Sequence, residues 1–203
     1  MSATTFVIFD MDDVLVHYDP DLRRDAIGRL AGLDGVEVGR RIWDSGLEDA
    51  ADAGALSADA YLRSVSETLG VPFGRDEWLR TRALAMRPNP DAITLADRVR
   101  ARARVALLTN NGFVMREHFD ELVPMLRPLF GPAMHTAAEF GTKKPDPDVY
   151  RRLLAVHGVM PAMALMIDDK PANVAGAIAA GLAAHHFTDA SSLEAHLREI
   201  GLI

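Results

Sequence analysis

Residues 4–19 read TFVIFDMDDVLVHYDP, and the apolar run that opens this stretch ends abruptly in acidic residues. Residues 4–9 are β-rich and almost wholly apolar, which is typical of a strand buried on both faces of a sheet. Asp10, Asp12 and Asp13 follow at once. Carboxylates crowded at the end of a buried strand repel one another and lose water, which a fold tolerates most easily when a cation joins them or when they take part in chemistry. A solvated acidic turn is the alternative interpretation.

Length and composition set the class of protein. The 203 residues, of which 49% are hydrophobic and 25% charged, suit one α/β domain with an insertion or a small cap. A net charge of −7 argues against a nucleic-acid partner. The lack of cysteine excludes disulfides, thiol catalysis and zinc–thiolate sites. Because the N-terminal segment has the pattern of neither a signal peptide nor a membrane anchor, we expect a cytoplasmic protein with no membrane partner.

Hydrophobic periodicity divides the chain into a helical part and an alternating part. Residues 14–87 have mostly helical patterns, most clearly at 57–70, where Ser57 is typical of an N-cap and Gly70 of a helix end. After a proline-rich break at 87–91, apolar segments at 104–109, 133–137, 163–167 and 183–187 alternate with helical ones, including a helix over 113–123. This alternation predicts an α/β fold, a Rossmann-like parallel sheet with helices on both faces. We assign 1–13 and 88–203 to the core and 14–87 to a helical cap.

Three of the predicted strands end in polar residues. These are Asp10 and Asp12, Thr109 and Asn110, and Asp168 and Asp169, while the segment GTKKPDP adds Lys143 and Lys144 before a helix. Parallel strands bring their carboxyl ends to one edge of the sheet, where ligands bind, so these groups should converge. Aspartate oxygens suit Mg²⁺ shared with a phosphate, a hydroxyl and a lysine suit phosphate oxygens, and a carboxylate can attack phosphorus. Taken alone, Thr109 could equally cap the following helix.

Four segments carry a family resemblance. They are FDMDDVL (9–15), LLTNN (107–111), GTKKPDPDVY (141–150) and LMIDDKPANVAGAIAAGL (165–182). In their order and spacing they resemble the four motifs of the haloacid dehalogenase-like hydrolase superfamily, in the phosphatase branch with a helical cap inserted after the first motif. The resemblance covers nearly the whole chain.

The resemblance implies a role for each matching residue. Asp10 resembles the nucleophile and a Mg²⁺ ligand. Asp12 resembles the general acid and base, whose backbone carbonyl also reaches the metal. Thr109 and Asn110 would hold the transferring phosphoryl group, and Lys144 would neutralise charge between that group and Asp10.

The last motif supplies the remaining candidates. Asp169 resembles the metal carboxylate, Asp168 an auxiliary ligand, and Asn173 a residue that orients this loop. Asp13 departs from the family pattern, since glycine or asparagine is usual there, and we assign it no role. Lys143 is interpreted as a solvated neighbour of Lys144.

The resemblance thus implies a Mg²⁺-dependent phosphatase. It would act on a small phosphorylated metabolite, such as a sugar phosphate or a nucleotide, through an aspartyl-phosphate intermediate. A phosphomutase, a 2-haloacid dehalogenase and a non-catalytic binding module remain alternatives. Trp43 with Arg40 or Arg41 could contact the substrate, but the sequence identifies neither the substrate nor the oligomeric state.

Overall fold

The computed structural model describes residues 4–203. Seven strands and twelve α-helices occur in that part of the chain. In chain order they are β1 (Phe6–Phe9), β2 (Val16–Tyr18), α1 (Pro20–Ala31), α2 (Gly35–Ile42), α3 (Leu47–Asp52), α4 (Ala58–Leu69), α5 (Arg75–Leu84), β3 (Met86–Pro88), α6 (Pro90–Arg100), β4 (Arg104–Thr109), α7 (Phe113–Glu117), α8 (Phe119–Leu122), α9 (Arg127–Phe130), β5 (Met134–Thr136), α10 (Pro147–His157), β6 (Ala164–Asp168), α11 (Pro171–Ala179), β7 (Ala183–His186) and α12 (Ala190–Glu199).

A five-stranded parallel sheet forms the centre of the molecule, in the order β5-β4-β1-β6-β7. Val7 and Phe9 of β1 belong to one apolar cluster and Phe6 and Ile8 to another, so helices cover the sheet on both faces. This explains why the strand reads as a continuous apolar run, because neither of its faces meets water. The predicted α/β fold, with a parallel sheet between helices, is confirmed.

Strand order positions the predicted site. β1 lies between β4 and β6, and all three run in the same direction. Asp10 directly follows β1, Thr109 ends β4 and Asp168 ends β6. The polar ends of three neighbouring strands therefore meet at one edge of the sheet, as parallel pairing requires.

Two short strands flank the helical part of the chain, and the mostly helical pattern predicted for residues 14–87 did not identify them. β2 and β3 pair antiparallel, with His17 opposite Arg87. We call the chain between them, residues 19–85, the helical insertion; it contains α1–α5. Strands of three residues are too short to give a readable alternation of apolar and polar positions. The status of this segment as a separate cap domain stays a prediction.

Asp13 occupies the turn that leads into β2. Its φ is +61°, a left-handed conformation in which glycine and asparagine are favoured and aspartate is tolerated. Its exposed carboxylate accepts a hydrogen bond from the backbone N–H of Tyr18 at 3.1 Å. The family's usual glycine or asparagine at this position thus has a conformational reason, and Asp13 meets the same demand.

The helix predicted over 113–123 is divided into α7 and α8. His118 between them has φ −119° and ψ 20°, outside the helical region. Neither short helix has a side-chain cap hydrogen bond. Both are held by buried residues such as Met115 and Phe119, so tertiary packing determines this break and apolar periodicity cannot show it.

Among residues 4–203, no helix combines the length and the apolar character needed to cross a bilayer.

Candidate active site at the carboxyl edge of the sheet

Lys144 lies at the centre of the site. Its Nζ is 2.8 Å from Oδ1 of Asp10 and 2.6 Å from Oδ2 of Asp168, and its side chain is fully buried. Burial lowers the pKa of Lys144, but the two adjacent carboxylates outweigh burial and raise it. A permanent ammonium group therefore bridges the ends of β1 and β6.

Asp10 is buried next to Lys144 at the end of β1. Its carboxylate also accepts a hydrogen bond from the N–H of Met11 at 2.7 Å. Burial is the main cause that raises the pKa of Asp10 well above its ordinary value; Lys144 lowers it, and the charge of Asp168 raises it further. A cation at this edge would favour the ionised form, which is the form that can act as a nucleophile.

Three carboxylates meet the requirements of a metal site. One oxygen from each of Asp10, Asp168 and Asp169 lies within 4.8 Å of the others. Oδ1 of Asp169 is buried and has no hydrogen-bond partner among the described residues. Burial, followed by the charge of Asp168, raises the pKa of Asp169. Clustered oxygens of this kind suit a hard divalent cation such as Mg²⁺, so the residues present fit the predicted metal.

Unlike Oδ1 of Asp169, both carboxylate oxygens of Asp168 accept hydrogen bonds from the protein. Its Oδ1 accepts hydrogen bonds from the backbone N–H of Lys170 and from Nδ2 of Asn173, both at 2.9 Å, while Oδ2 binds Lys144. Asn173 is itself held through its carbonyl oxygen, which accepts from the Tyr150 hydroxyl at 2.7 Å. Asn173 therefore orients Asp168, in keeping with its predicted role of ordering this loop.

Asn110 holds the segment that carries Lys144. Its Nδ2 donates to the carbonyl oxygen of Lys144 at 2.7 Å, and its Oδ1 accepts from the N–H of Lys144 at 2.9 Å. Thr109 is buried, and its hydroxyl accepts from Nδ2 of Asn111 at 2.8 Å. The side-chain amide of Asn110 is thus engaged in positioning the lysine, whereas the hydroxyl of Thr109 keeps its own proton to donate.

Asp12 faces the helical insertion. Nη2 of Arg82 lies 2.7 and 2.6 Å from its two carboxylate oxygens, and Nδ2 of Asn111 donates to Oδ2 at 3.3 Å. Arg82 is 2% exposed. Both oxygens of the predicted acid and base therefore accept hydrogen bonds from a residue of the helical insertion.

Sequence reasoning missed the buried arginines of the insertion. It pointed to Arg40 or Arg41 beside Trp43, but both of these arginines pair with Glu37, and Arg40 is exposed. The guanidinium group over the Trp43 ring belongs to Arg23, at 5.5 Å from the ring centroid. A signal was available, since Arg82 follows the buried Trp78 by four positions on one helix and so shares its inward face.

His186 was also missed. Its Nε2 lies 2.9 Å from the carbonyl oxygen of Asp169. The last strand thereby contacts the loop that carries the candidate metal ligand, a contact that only the order of the strands creates.

Comparison with known proteins agrees with this geometry. The chain is 30% identical over 185 residues to a protein of Mycobacterium tuberculosis named a phosphatase, covering 88% of this chain and 85% of that protein. A solved structure of a predicted HAD-like family hydrolase from Porphyromonas gingivalis superposes with a TM-score of 0.82 at 19% identity, covering 97% of this chain and 99% of the other. A HAD family enzyme of Bacteroides thetaiotaomicron, in complex with magnesium and inorganic phosphate, superposes with a TM-score of 0.77 at 15% identity, covering 90% and 93%.

The family model for haloacid dehalogenase-like hydrolases matches residues 5–181, which include three of the four motif segments, all but the last residue of the fourth, and every predicted residue of the site. The chain belongs to the haloacid dehalogenase-like hydrolase family.

Proposed function

We propose that this hydrolase is a Mg²⁺-dependent phosphatase that acts on a small phosphomonoester through an aspartyl-phosphate on Asp10. The observation that carries the proposal is the buried contact of Lys144 with Asp10, at 2.8 Å, beside the three clustered carboxylates. A buried carboxylate held by a lysine next to a cation site is the arrangement that an anionic nucleophile needs in order to approach an anionic substrate.

The first half of the reaction is a phosphoryl transfer to Asp10. An oxygen of Asp10 forms a bond to phosphorus while the ester P–O bond breaks, and the electron pair of that bond goes to the leaving oxygen. Asp12, as general acid, protonates this oxygen. Lys144 offsets the negative charge that gathers between Asp10 and the phosphoryl group.

The second half restores Asp10. A water molecule attacks phosphorus and gives its proton to Asp12, which now acts as a base. The bond between phosphorus and Asp10 breaks, and its electron pair returns to the carboxylate. Inorganic phosphate, the ionised carboxylate of Asp10 and the protonated Asp12 are the products of this half.

The phosphoryl-binding roles differ between Thr109 and Asn110. We assign the hydroxyl of Thr109 to the phosphoryl oxygens, because it is buried at the end of β4 and retains a proton to donate. The side chain of Asn110 acts indirectly, through its two hydrogen bonds with the backbone of Lys144.

The metal would be held by Asp10, Asp169 and the backbone carbonyl of Asp12, with Asp168 as an auxiliary ligand. When bound, Mg²⁺ supplies positive charge that polarises the phosphoryl group and lowers the repulsion between it and Asp10. The unpartnered oxygen of Asp169 supports this ligand set.

The substrate class is a small phosphorylated metabolite, such as a sugar phosphate or a nucleotide. The insertion contacts the core beside the site, through Arg82 and Asp12, through Arg75 and Glu117, and through Lys143 and Asp49. An insertion seated in this way leaves little room for a phosphorylated protein segment. A preference for phosphoproteins over every small ester would contradict this. A cytoplasmic location and the lack of a nucleic-acid partner stay predictions.

Two other activities share much of this chemistry. A 2-haloacid dehalogenase would use Asp10 on carbon and would need neither Asp12 as an acid nor Asp169 as a ligand, so the presence of both residues favours phosphate chemistry. A phosphomutase differs only in the fate of the phosphoryl group, and its products separate it from a phosphatase. A binding module would not need to retain the complete set of site residues.

The test is phosphate release from a panel of sugar phosphates, nucleotides and small organic phosphates. We expect turnover with Mg²⁺ and its loss with EDTA, followed by recovery when Mg²⁺ is added back. Full turnover in metal-free buffer would exclude the metal assignment, and a lack of phosphate release from every ester would favour the dehalogenase.

A further inference from the structure

We propose that Arg23 and Arg82 of the helical insertion form a recognition site for a second anionic group, a carboxylate or a further phosphate, on the leaving group of the substrate. This inference rests on the proposed phosphatase function and specifies its substrate class. It concerns residues that the four motifs do not include.

Arg82 is a buried cation whose partner in the structure is Asp12, the proposed general acid and base. It is 2% exposed, and its guanidinium carbon lies 4.1 Å from the centroid of the Tyr18 ring. Nη2 contacts both oxygens of Asp12, while Nε is buried with no partner among residues 4–203. Because Arg82 contacts both oxygens of Asp12, a leaving group that approaches this carboxylate also meets the guanidinium group.

Arg23 is a second buried cation, and two of its nitrogens lack a partner among the described residues. It is 2% exposed, and its guanidinium carbon lies 5.5 and 5.3 Å from the ring centroids of Trp43 and Trp78. Nη1 reaches the Tyr18 hydroxyl at 3.3 Å and Glu48 at 3.4 Å. In the described part of the chain, Nε and Nη2 of Arg23 and Nε1 of Trp78 find no acceptor.

The unpartnered atoms of this cluster are all donors. They number four, counting Nε of Arg82, and they belong to residues joined through Tyr18 and Trp78. Buried donors without acceptors are costly, and guanidinium groups are best satisfied by carboxylates and phosphates. A ligand that brings several anionic oxygens is therefore the chemistry that completes this site.

Nearby acids leave the cluster able to accept an anion. Glu48 is occupied by Arg23 and by the Tyr61 hydroxyl. Burial, and secondly the charge of Glu48, raises the pKa of Asp52 well above its ordinary value, which favours its neutral form. The cationic charge of Arg82 is then opposed mainly by Asp12, the residue that has to be released for catalysis.

The contact between Arg82 and Asp12 suggests how a charged leaving group would bind. A leaving group next to Asp12 separates that carboxylate from Arg82, and an arginine that loses its partner in a buried place is strongly destabilised. An anion on the leaving group replaces Asp12 as the partner of Arg82, and Arg23 supplies the further donors. Substrates with such a group are thereby selected over neutral ones.

The helical insertion has to move away from the core before a substrate can bind beside Arg23 and Arg82. The cavity beside the cluster is lined by Glu48, Asp52, Trp78 and Asn111 among others, and its volume is about 10 Å³. That is room for about one water molecule. Asn111 also donates to Asp12, so the cavity adjoins the acid and base. The structure thus has the insertion closed on the core, and substrate enters when it lifts.

The experiment uses two inert phosphonates that cannot be hydrolysed. Calorimetry with the Mg²⁺-loaded full chain compares 4-phosphonobutanoate with 4-hydroxybutylphosphonate, which differ in the carboxylate. We expect the carboxylate to bind at least about 10-fold more tightly. Butane-1,4-diyl bisphosphonate, tested in parallel, shows whether a second phosphate-like group is preferred to a carboxylate. If 4-hydroxybutylphosphonate, which lacks the second anionic group, bound as tightly as 4-phosphonobutanoate and the bisphosphonate, the proposal would be overturned.

Variants assign the effect to the arginines. Arg23→Gln should reduce the preference to about twofold or less, Arg23→Lys should retain part of it, and Arg82→Lys should lower it. Arg80→Gln is the matched control, because this exposed arginine lies on the same helix as Arg82. If Arg23→Gln weakened both phosphonates by the same factor, the proposal would be wrong.

Kinetics keep this inference separate from the proposed function. Hydrolysis of 3-phosphonooxypropanoate is compared with that of 3-hydroxypropyl phosphate and p-nitrophenyl phosphate. Lack of turnover on all three would contradict the phosphatase, whereas the phosphonate binding ratio would still decide the arginine site. Turnover with equal kcat/KM for the charged and neutral propyl esters would contradict the arginine site alone.

Discussion

The carboxyl edge of the sheet and the interior of the helical insertion both bury charged residues, but they satisfy them differently. At the sheet edge, Lys144 contacts Asp10 and Asp168 at 2.8 and 2.6 Å, and amides donate further hydrogen bonds to both carboxylates. The atom there that lacks a partner in the described part of the chain is an acceptor, Oδ1 of Asp169, which suits a cation. In the insertion, Arg23 and Arg82 are equally buried and leave three guanidinium nitrogens without partners in the described chain.

In the proposed enzyme, the sheet edge carries out the phosphoryl transfer and the helical insertion distinguishes one substrate from another. A preorganised set of charges can stabilise a phosphoryl group of any ester, since every phosphomonoester carries the same reacting group. Unsatisfied donors set away from that group distinguish one leaving group from another, because a site built to bind a polar group rejects ligands that lack it. Changes at the sheet edge should therefore affect all substrates alike, and changes in the insertion should affect their ratio.

The largest effect is expected from Asp10→Asn, which should abolish the covalent intermediate because a neutral amide is a poor nucleophile. Asp12→Asn retains the nucleophile and should lose about 10²–10⁴-fold in rate. With p-nitrophenyl phosphate, whose leaving group needs little protonation, the Asp12 variant should still phosphorylate itself and stall. Rapid-quench trapping with mass spectrometry locates the phosphate. Phosphate on Asp12, or on no residue of an active enzyme in a single turnover, would contradict the mechanism.

Lys144→Met should lower kcat/KM for every ester by about 10²–10³-fold, the usual loss when one charge-stabilising group is removed. It also leaves two buried carboxylates without their cation, so the free energy of unfolding of the metal-free protein should fall by about 3–5 kcal/mol. Urea denaturation and steady-state kinetics measure the two effects. Lys143→Gln is the control, since that side chain lies at the surface against Asp49. If Lys144→Met lowered kcat/KM only for esters with a charged leaving group, the assignment of substrate selection to the insertion would be wrong.

Gly176→Ala tests how α11 supports the lysine. A Cβ at Gly176 would lie 2.0 Å from the carbonyl oxygen of Pro145, which follows Lys144 directly. Since backbone has to shift, we expect a loss of about 1–3 kcal/mol in stability and a lower kcat for all esters. The preference between the two phosphonates should stay within about twofold, because the insertion is untouched. Ala175→Ser, at an exposed neighbouring position, is the control.

The smallest effect concerns pH and Asp52. The folded protein holds the proton of this residue more tightly than the unfolded chain does, because burial and Glu48 raise its pKa. The stability of the wild type therefore falls as pH rises from the ordinary pKa of aspartate through the raised value. Asp52→Asn has no proton to lose at this position, so its stability relative to wild type should rise as the pH increases through that range.

Urea denaturation at several pH values measures this difference, with Asp76→Asn at an exposed position on α5 as the control. A difference that does not change with pH would show that Asp52 is already ionised in the folded protein, and the insertion would then be a poorer site for an anion.

Much of the fold and of the core site could be predicted from the sequence, because both depend on local order. Apolar runs such as 104–109 and 163–167 indicate strands, and polar residues that end them, such as Asp10 and Thr109, must gather wherever the strands are parallel. The helix boundary at 113–123 and the short β2–β3 pair could not be predicted, since packing between distant segments determines them.

The pairing of charges was decided by the tertiary structure alone. Nothing in the sequence says that Arg82 reaches Asp12, seventy positions away, or that the side chain of Asn110 holds the backbone of Lys144. Helical periodicity assigns an arginine to a face, but burial of that face against another segment decides whether it meets water or a carboxylate. The sequence by itself therefore determined the family, the sheet and the polar residues that gather at its carboxyl edge. The folded structure decided which cation lies beside Asp12, because that depends on contacts between segments far apart in the chain.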